Sequence, residues 1–495
     1  MPSGPGRPRF DFSAPMPPVA DLGRVHFIAI GGAGMSGVAQ LFLEAGLEVS
    51  GSDAAPSAAL RGLEEAGATV FVGHDASHLG AADTVIISGA VSEANVELAA
   101  ARQRGLQVLH RAQGITAVTQ DRDTVAVAGA NGKTTTSAMV LACLSGDSPA
   151  PGFVIGSVVA QHGASAHVGV GPMVIEADES DGSFLAYRPR VAIVTNVTPD
   201  HLDFYGDFGG VQRAFDEFVA GLGVAGLFIA NADDPGSVPI VAAARLRGQR
   251  VLTWGEEAGA DIQIALVTQE GRTSVATLLW TREIGGIAAQ TRHQLSVPMP
   301  GRHNVHNAVA ALAAATAGFG RPVQQALAGL ADFGGTRRRF EWVANAGGVE
   351  IIDDYAHNPQ KVAAAVAAGR SVLGPSGRLV IAFQPHLYSR TADFCREFAE
   401  ALRPADVVVV LDVFGAREEP LPGVSGELIV EALRQCEGKD TTRAAPEVHY
   451  APERAHAAAL MASLVRADDV LITVGAGNIT SLGPEVAAIL ESADA

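Results

Sequence analysis

The run Val125–Ala128 passes directly into Gly129-Ala130-Asn131-Gly132-Lys133-Thr134-Thr135-Thr136, and this passage constrains the chain more than any other. A β-rich run, a glycine pair, a lysine and a threonine in that order read as strand, phosphate-binding turn and helix. Backbone N–H groups of such a turn cradle phosphate oxygens. Lys133 reaches the terminal phosphates as a point charge, and the Thr134 hydroxyl can sit on Mg2+. The full phosphate-loop pattern has one more glycine, where Val127 stands here. The plainer alternative is a helix start with a surface lysine. The coincidence of all four features speaks against it.

A second turn of this kind lies upstream. Val25–Ile30 reads as a strand and runs into Gly31-Gly32-Ala33-Gly34-Met35-Ser36-Gly37. Gly32, Gly34 and Gly37 satisfy G-x-G-x-x-G, and Asp53 follows a further short β-rich run, Glu48–Ser50. Such a turn lets the backbone approach a diphosphate and aims a helix N-terminus at it. Alone, the pattern favours a dinucleotide cofactor and an NAD-dependent oxidoreductase. Plainer readings are a ligand-free turn and, for Asp53, a helix cap. Two nucleotide sites in successive domains point instead to ATP chemistry on a nucleotide-carrying substrate.

Acidic loops follow two further predicted strands. Glu176-Ala177-Asp178-Glu179-Ser180-Asp181 comes after Met173–Ile175, and Asn196 and then Asp200-His201-Leu202-Asp203 come after Val191–Thr195. In open parallel sheets ligands bind beyond the carboxyl ends of strands. Mg2+ takes oxygen ligands and an occasional imidazole, which makes Glu176 and His201 the metal candidates. Solvated acidic loops are the bland alternative.

Three α/β blocks emerge from the alternation of β-rich and helical runs. A Rossmann-like N-terminal block spans residues 21–122. A central phosphate-loop ATPase block with a mostly parallel sheet spans 123–333. A C-terminal Rossmann-like block spans 334–495. Residues 1–20, rich in Pro, Gly and Ser, read as a flexible leader without the apolar run of a signal peptide. A length of 495 residues suits about three domains. The net charge of −18 argues against nucleic acid as the main partner. No run approaches the about 20 apolar residues of a membrane span. Three scattered cysteines, Cys143, Cys395 and Cys436, argue against a disulfide framework and fit a reducing cytoplasm.

Taken together the segments resemble the Mur ligases, the amino-acid ligases of peptidoglycan synthesis in the bacterial cytoplasm. HFIAIGGAGMSGVA, VSGSD, GANGKTTT, EADESDGSF, TNVTPDHLDFYGD, PGRHNVHNAVAA, RRRFE, DDYAHNP, FQPHLYSRT and GAGNI occur in family order over nearly the whole chain after the leader. GGAGMSG and FQPHLYSRT are similar to the branch that adds L-alanine to UDP-N-acetylmuramate. The resemblance implies that the first turn holds the UDP part of the substrate, lined by Gly32, Gly34, Ser36 and Asp53 with Arg111 nearby. It implies that Gly129, Ala130, Asn131, Gly132, Lys133, Thr134 and Thr135 bind ATP phosphates, and that Asn304 and Asn307 border the adenine. Thr134 and Glu176 would hold one Mg2+, and His201 a second metal touching the acyl intermediate. Arg338 would clamp ATP phosphate from the third domain. Asp354, Tyr355, His357, His386 and Arg390 would form the region where ATP and the amino acid meet. Small-molecule partners only, and a monomer or weak homodimer, are expected.

Three positions depart from the pattern. Ala130 stands where the family usually has Thr. Asn131 stands where the alanine branch usually has His, although other members carry Asn, and Asn358 where it commonly has a second His. The implied chemistry is phosphorylation of the sugar carboxylate by ATP, then attack of an amine on the acyl phosphate. Lys133, Arg338 and Mg2+ would offset the repulsion of the anionic reactants. His357 or His386 would take the amine proton, and Arg390 would bind the amino-acid carboxylate. Domain closure would assemble the centre and exclude water. Rival readings are a ligase for another amino acid or a preformed peptide, an oxidoreductase, and a non-catalytic nucleotide-binding relative.

Overall fold

The computed structural model describes residues 10–146, 149–223, 225–416, 418–435 and 444–494. By contact the chain forms two compact units, divided between Gly334 and Gly335, with Gln269–Ser274 and Met299–Gly301 counted in the second. The α/β reading holds. The first unit carries two sheets and the second carries one.

The first sheet has five parallel strands in the order Thr69–Val72, Val49–Asp53, Val25–Ile28, Thr84–Ile87, Gln107–His110. The order reverses beside Val25–Ile28, and open α/β sheets bind ligands beyond the carboxyl ends at such a reversal, which here is the glycine turn. The predicted strand Val25–Ile30 stops at Ile28 because Ala29 takes a left-handed φ of 62°. The helix that follows the turn runs from Ala33 to Glu44.

The second sheet has ten strands. Its parallel centre runs Arg250–Gly255, Leu227–Asn231, Val191–Val194, Thr124–Ala128, Met173–Glu176, Gly152–Val159. Thr124–Ala128 is buried throughout, as an apolar central strand covered on both faces must be. Helix Lys133–Leu144, which follows it, is buried from Thr134 to Leu144 and packs on helices Arg302–Ala313 and Val323–Ala331. Helix Arg302–Ala313 continues as a π-helix over Ala314–Gly318.

The third sheet has the order Glu341–Ala346, Val349–Asp354, Val470–Val474, Leu379–Phe383, Val407–Leu411, Glu447–Ala451, with only the first pair antiparallel. Apolar clusters cover both of its faces.

The leader differs from expectation. From Phe10 onward it is packed rather than loose. Phe12, Met16 and Val19 lie on the first unit's core, and the rings of Phe10 and Phe12 sit 5.3 and 5.5 Å from that of His110. Gln113 Nε2 donates to Asp11 O at 3.0 Å. A few large apolar side chains suffice to anchor a Pro- and Gly-rich stretch. Residues 1–9 of the leader, and Cys436, lie outside the described residues. Among the described residues no helix is long and apolar enough to cross a membrane.

Candidate active site

Both glycines of the central turn are sterically required. Gly129 has φ 133°, and a Cβ there would stand 2.1 Å from Thr195 Oγ1. Gly132 has φ 89°, and its Cβ would stand 2.7 Å from Asn307 Oδ1. The end of the neighbouring strand holds the turn. Asn131 N donates to Asn196 Oδ1 at 3.0 Å, Asn196 Nδ2 donates to Asn131 O at 2.9 Å, and Thr195 Oγ1 donates to the same oxygen at 2.6 Å. Ala130 N donates to Asn196 O at 3.1 Å. Two N–H groups expected to face phosphate, those of Ala130 and Asn131, are thus given to Asn196. The helix beginning at Lys133 remains the main source of donors for an anion. Thr195 and Asn196 are site residues whose loop-holding role the sequence did not disclose.

Three carboxylates crowd the lysine. Lys133 Nζ donates to Gly129 O at 2.8 Å and pairs with Glu179, 2.8 Å from Oε1 and 2.7 Å from Oε2. Burial works against the lysine charge, but Glu179, Asp178 and Glu176 outweigh it and hold its pKa above the ordinary value. Burial pushes Glu179 upward. Asp178 is held low: burial opposes this, but the charges of Lys133 and Arg111 prevail.

Glu176 ends its strand opposite Val127 and accepts from Thr134 Oγ1 at 2.9 Å and from Gly156 N at 2.6 Å. A hydroxyl and a carboxylate side by side at the phosphate turn are the hard oxygen donors that Mg2+ takes alongside phosphate oxygens and water. The residues fit that ion. Among the described residues no group of three or more His, Cys, Asp or Glu can hold a metal, so the ion would depend on nucleotide oxygens as well. His201, expected to hold a second metal, stands just before the short helix Leu202–Tyr205. It has φ 52°, and its ring nitrogen Nε2 lies 3.9 Å from Asp200.

At the first turn, Gly32 caps helix Ala33–Glu44, Ser36 N donates to Gly32 O, and Gly31 N donates to Asp53 Oδ2 at 2.9 Å. A Cβ on Gly34 would lie 2.2 Å from Arg111 Nη1, and one on Gly37 2.9 Å from Ser165 Oγ. Arg111 therefore crosses the helix start, where an anion would sit, and its Nη2 donates to Asp178 at 2.9 Å. Arg111 and Asp178 connect the two turns within one compact unit. Beside them the buried His110 lies 3.2 Å from Asp181 and caps helix Arg111–Thr119. Burial opposes the charge of Asp181, yet His110 and Ser183 hold its pKa well below the carboxylate range.

In the second unit, Asp354 accepts from Ala356 N at 2.8 Å and Phe340 N at 2.9 Å, shaping the loop that carries Tyr355 and His357. His357 Nδ1 lies 2.9 Å from Tyr355 O, which fixes its proton there and leaves Nε2 as an acceptor. Its ring is 6.2 Å from that of His386, and Arg390 Nη1 donates to His357 O at 3.4 Å. Burial, aided by the charge of Lys361, pushes the His357 pKa down to about 3. His386 is lowered too, by burial and then by Arg390, and its Nδ1 is buried without a hydrogen-bond partner. Arg338 is turned inward. Its Nε lies 3.1 Å from the buried Asp353, Nη2 donates to Gly475 O, and the guanidinium lies 4.8 Å from the Tyr355 ring centre.

Three family descriptions match the chain in order: Mur ligase family, catalytic domain, over residues 24–122; Mur ligase middle domain over 127–315; and Mur ligase, glutamate ligase domain, over 338–477. The UDP-N-acetylmuramate–L-alanine ligase of Kineococcus radiotolerans is 48% identical over 476 residues, covering 95% of this chain and 97% of its own. The chain belongs to the Mur ligase family. The Mur ligase of the same description from Thermobifida fusca is 46% identical over 477 residues, covering 94% and 97%. The crystal structure of the Thermotoga maritima UDP-N-acetylmuramate–alanine ligase superposes with a TM-score of 0.78 at 26% identity, covering 95% and 99%.

Family membership gives the departures a physical setting. Asn358, in place of a second histidine, caps helix Pro359–Val372 by accepting from Lys361 N at 2.9 Å, a task for which Asn is a preferred residue. Asn131 Oδ1 is buried without a hydrogen-bond partner. For this Mur ligase the buried His357 also sets an acid limit. Its folded pKa of about 3 lies below the ordinary 6.5, so the unfolded chain protonates first. The stability it contributes is full above the ordinary value and is lost as pH falls toward about 3. The H357Q variant is expected to lose less stability than the parent between about pH 6.5 and 4.5. Urea unfolding at both pH values checks this, and equal losses would refute it.

Proposed function

We propose that the chain is an ATP-dependent ligase that joins L-alanine to the carboxylate of UDP-N-acetylmuramate through an acyl phosphate, in peptidoglycan precursor synthesis in the cytoplasm. One observation carries the reading. Two anion-receiving turns lie in one compact unit and are tied together by Arg111, Asp178 and Lys133. A dehydrogenase has no use for the second turn. Near 50% identity to alanine-adding relatives supports the choice of amino acid.

In the first step a carboxylate oxygen of the sugar acid attacks the γ-phosphorus of ATP, and ADP leaves. Lys133 and the N-terminus of its helix stabilise the charge moving through the phosphoryl group. Thr134 and Glu176 would hold Mg2+, which supplies further charge neutralisation when bound. Arg111 would orient the substrate diphosphate. In the second step the neutral amine of L-alanine attacks the acyl carbon, phosphate departs and the nitrogen loses a proton. His386, with an unpartnered buried ring nitrogen, suits that proton better than His357, whose basicity is far lower. Arg390 suits the L-alanine carboxylate, because guanidinium binds it bidentately.

ADP release from ATP, UDP-N-acetylmuramate and each amino acid in turn is the test. L-Alanine should give the fastest release. A preformed peptide as the preferred amine, or reduction of NAD without ADP formation, would overturn the assignment.

A further inference from the structure

The first sheet buries a charged centre that the ligase chemistry does not use. Glu97, near the start of helix Val96–Gln103, is fully buried. Five groups converge on its carboxylate. Ser52 Oγ donates to Oε2 at 2.6 Å and Asp75 N to Oε1 at 3.1 Å. His78 Nδ1 lies 3.0 Å from Oε1, and His26 Nε2 and His74 Nδ1 each lie 3.5 Å from Oε2. Burial opposes the charge, yet the nearby His26 and the bonds from Ser52, His78 and Asp75 hold the pKa down to about 2.

An ionised carboxylate only accepts, so it dictates where its neighbours carry protons. The single Ser52 O–H is spent on Glu97. His74 Nδ1, 3.0 Å from Ser52 Oγ, must then donate to that oxygen. His78 carries its proton on Nδ1 and His26 on Nε2, leaving His26 Nδ1 to accept from Ser50 Oγ at 2.9 Å. Three neighbouring strands are thereby tied to one anion: Val25–Ile28 through His26, Val49–Asp53 through Ser52, and Thr69–Val72 through the turn that follows it. The same strands support the first glycine turn. Ile30 N donates to Ser52 O at 2.9 Å, Gly31 N to Asp53 Oδ2 at 2.9 Å, and Gly73 N to Asp53 O at 2.7 Å.

We propose that Glu97 is a positioning residue for the nucleotide-sugar site: through Ser52 it fixes the adjoining Asp53, which holds the Gly31 N–H and keeps the turn in its anion-receiving shape. Glu97 itself touches no substrate. The proposal rests on reading that turn as the UDP cradle.

The test is substrate binding by calorimetry together with steady-state kinetics. E97Q keeps the shape but turns an N–H2 toward groups that are already donors. Its Kd and KM for UDP-N-acetylmuramate should rise together by about tenfold, the scale of a lost buried hydrogen bond, while kcat and the KM for ATP stay within about twofold. S52A keeps the buried charge and cuts only the tether, and should shift the same two constants by about threefold. If E97Q does not fold, S52A decides. Unchanged UDP-N-acetylmuramate constants in the folded variants, or an equal loss in kcat and in the KM for ATP, would overturn the tether. A parent chain that binds no UDP-N-acetylmuramate would overturn the reading of the turn, and the tether with it.

Discussion

Replacing Lys133 with Ala should lower the rate of ADP formation by about a thousandfold or more, because one preorganised charge at the transferring phosphoryl group is removed. The surroundings make this loss larger than at an ordinary phosphate turn. Glu176, Asp178 and Glu179 all bear on the ammonium group, so the site without Lys133 would repel the polyanion it has to bind. The same change strands Glu179 as a buried carboxylate without its ion pair, which costs about 3–5 kcal/mol of stability. Thermal unfolding must therefore accompany the rate measurement. The double variant K133A/E179Q removes the stranded charge and should recover much of the stability while staying inactive. A folded K133A protein with the parent rate would remove Lys133 from the chemistry.

The two turns were legible because each is contiguous: apolar strand, glycines and helix follow one another within a dozen residues, and only local sterics decide them. Glu176 was legible for a related reason, since it closes a strand that pairs beside the phosphate-turn strand. The rest of the site depends on pairs far apart in sequence. Asn196 holds a turn 65 residues upstream, and Glu179 meets Lys133 across 46. His26 sits in an apolar strand and gives no sign that its partner is Glu97. Strands Gly152–Val159 and Glu341–Ala346 went unread, the first because its glycines weaken the β pattern and the second because it is a half-polar edge. Arg338 shows what resemblance leaves open. It implies a phosphate clamp, and the side chain here reaches Asp353 and the Gly475 carbonyl. The arginine triplet alone cannot say which member turns inward.

Glu176→Ala should raise the Mg2+ concentration needed for half-maximal activity by about a hundredfold, since the ion would lose its one carboxylate and keep only the Thr134 hydroxyl and phosphate oxygens. The side chain has a second task, accepting from Gly156 N, so a loss of activity alone would not identify a metal ligand. Glu176→Gln separates the two roles. The amide oxygen can still accept from Gly156, and the bulk beside Thr134 is kept, but the charge that attracts a hard cation is gone. If Glu176 holds the ion, the Gln variant should need nearly as much Mg2+ as the Ala variant, and excess Mg2+ should restore much of its kcat. If Glu176 only braces Gly156, the Gln variant should titrate like the parent. A parent-like Mg2+ curve in both variants would remove Glu176 from the metal site and leave the phosphate turn without a protein carboxylate for the ion.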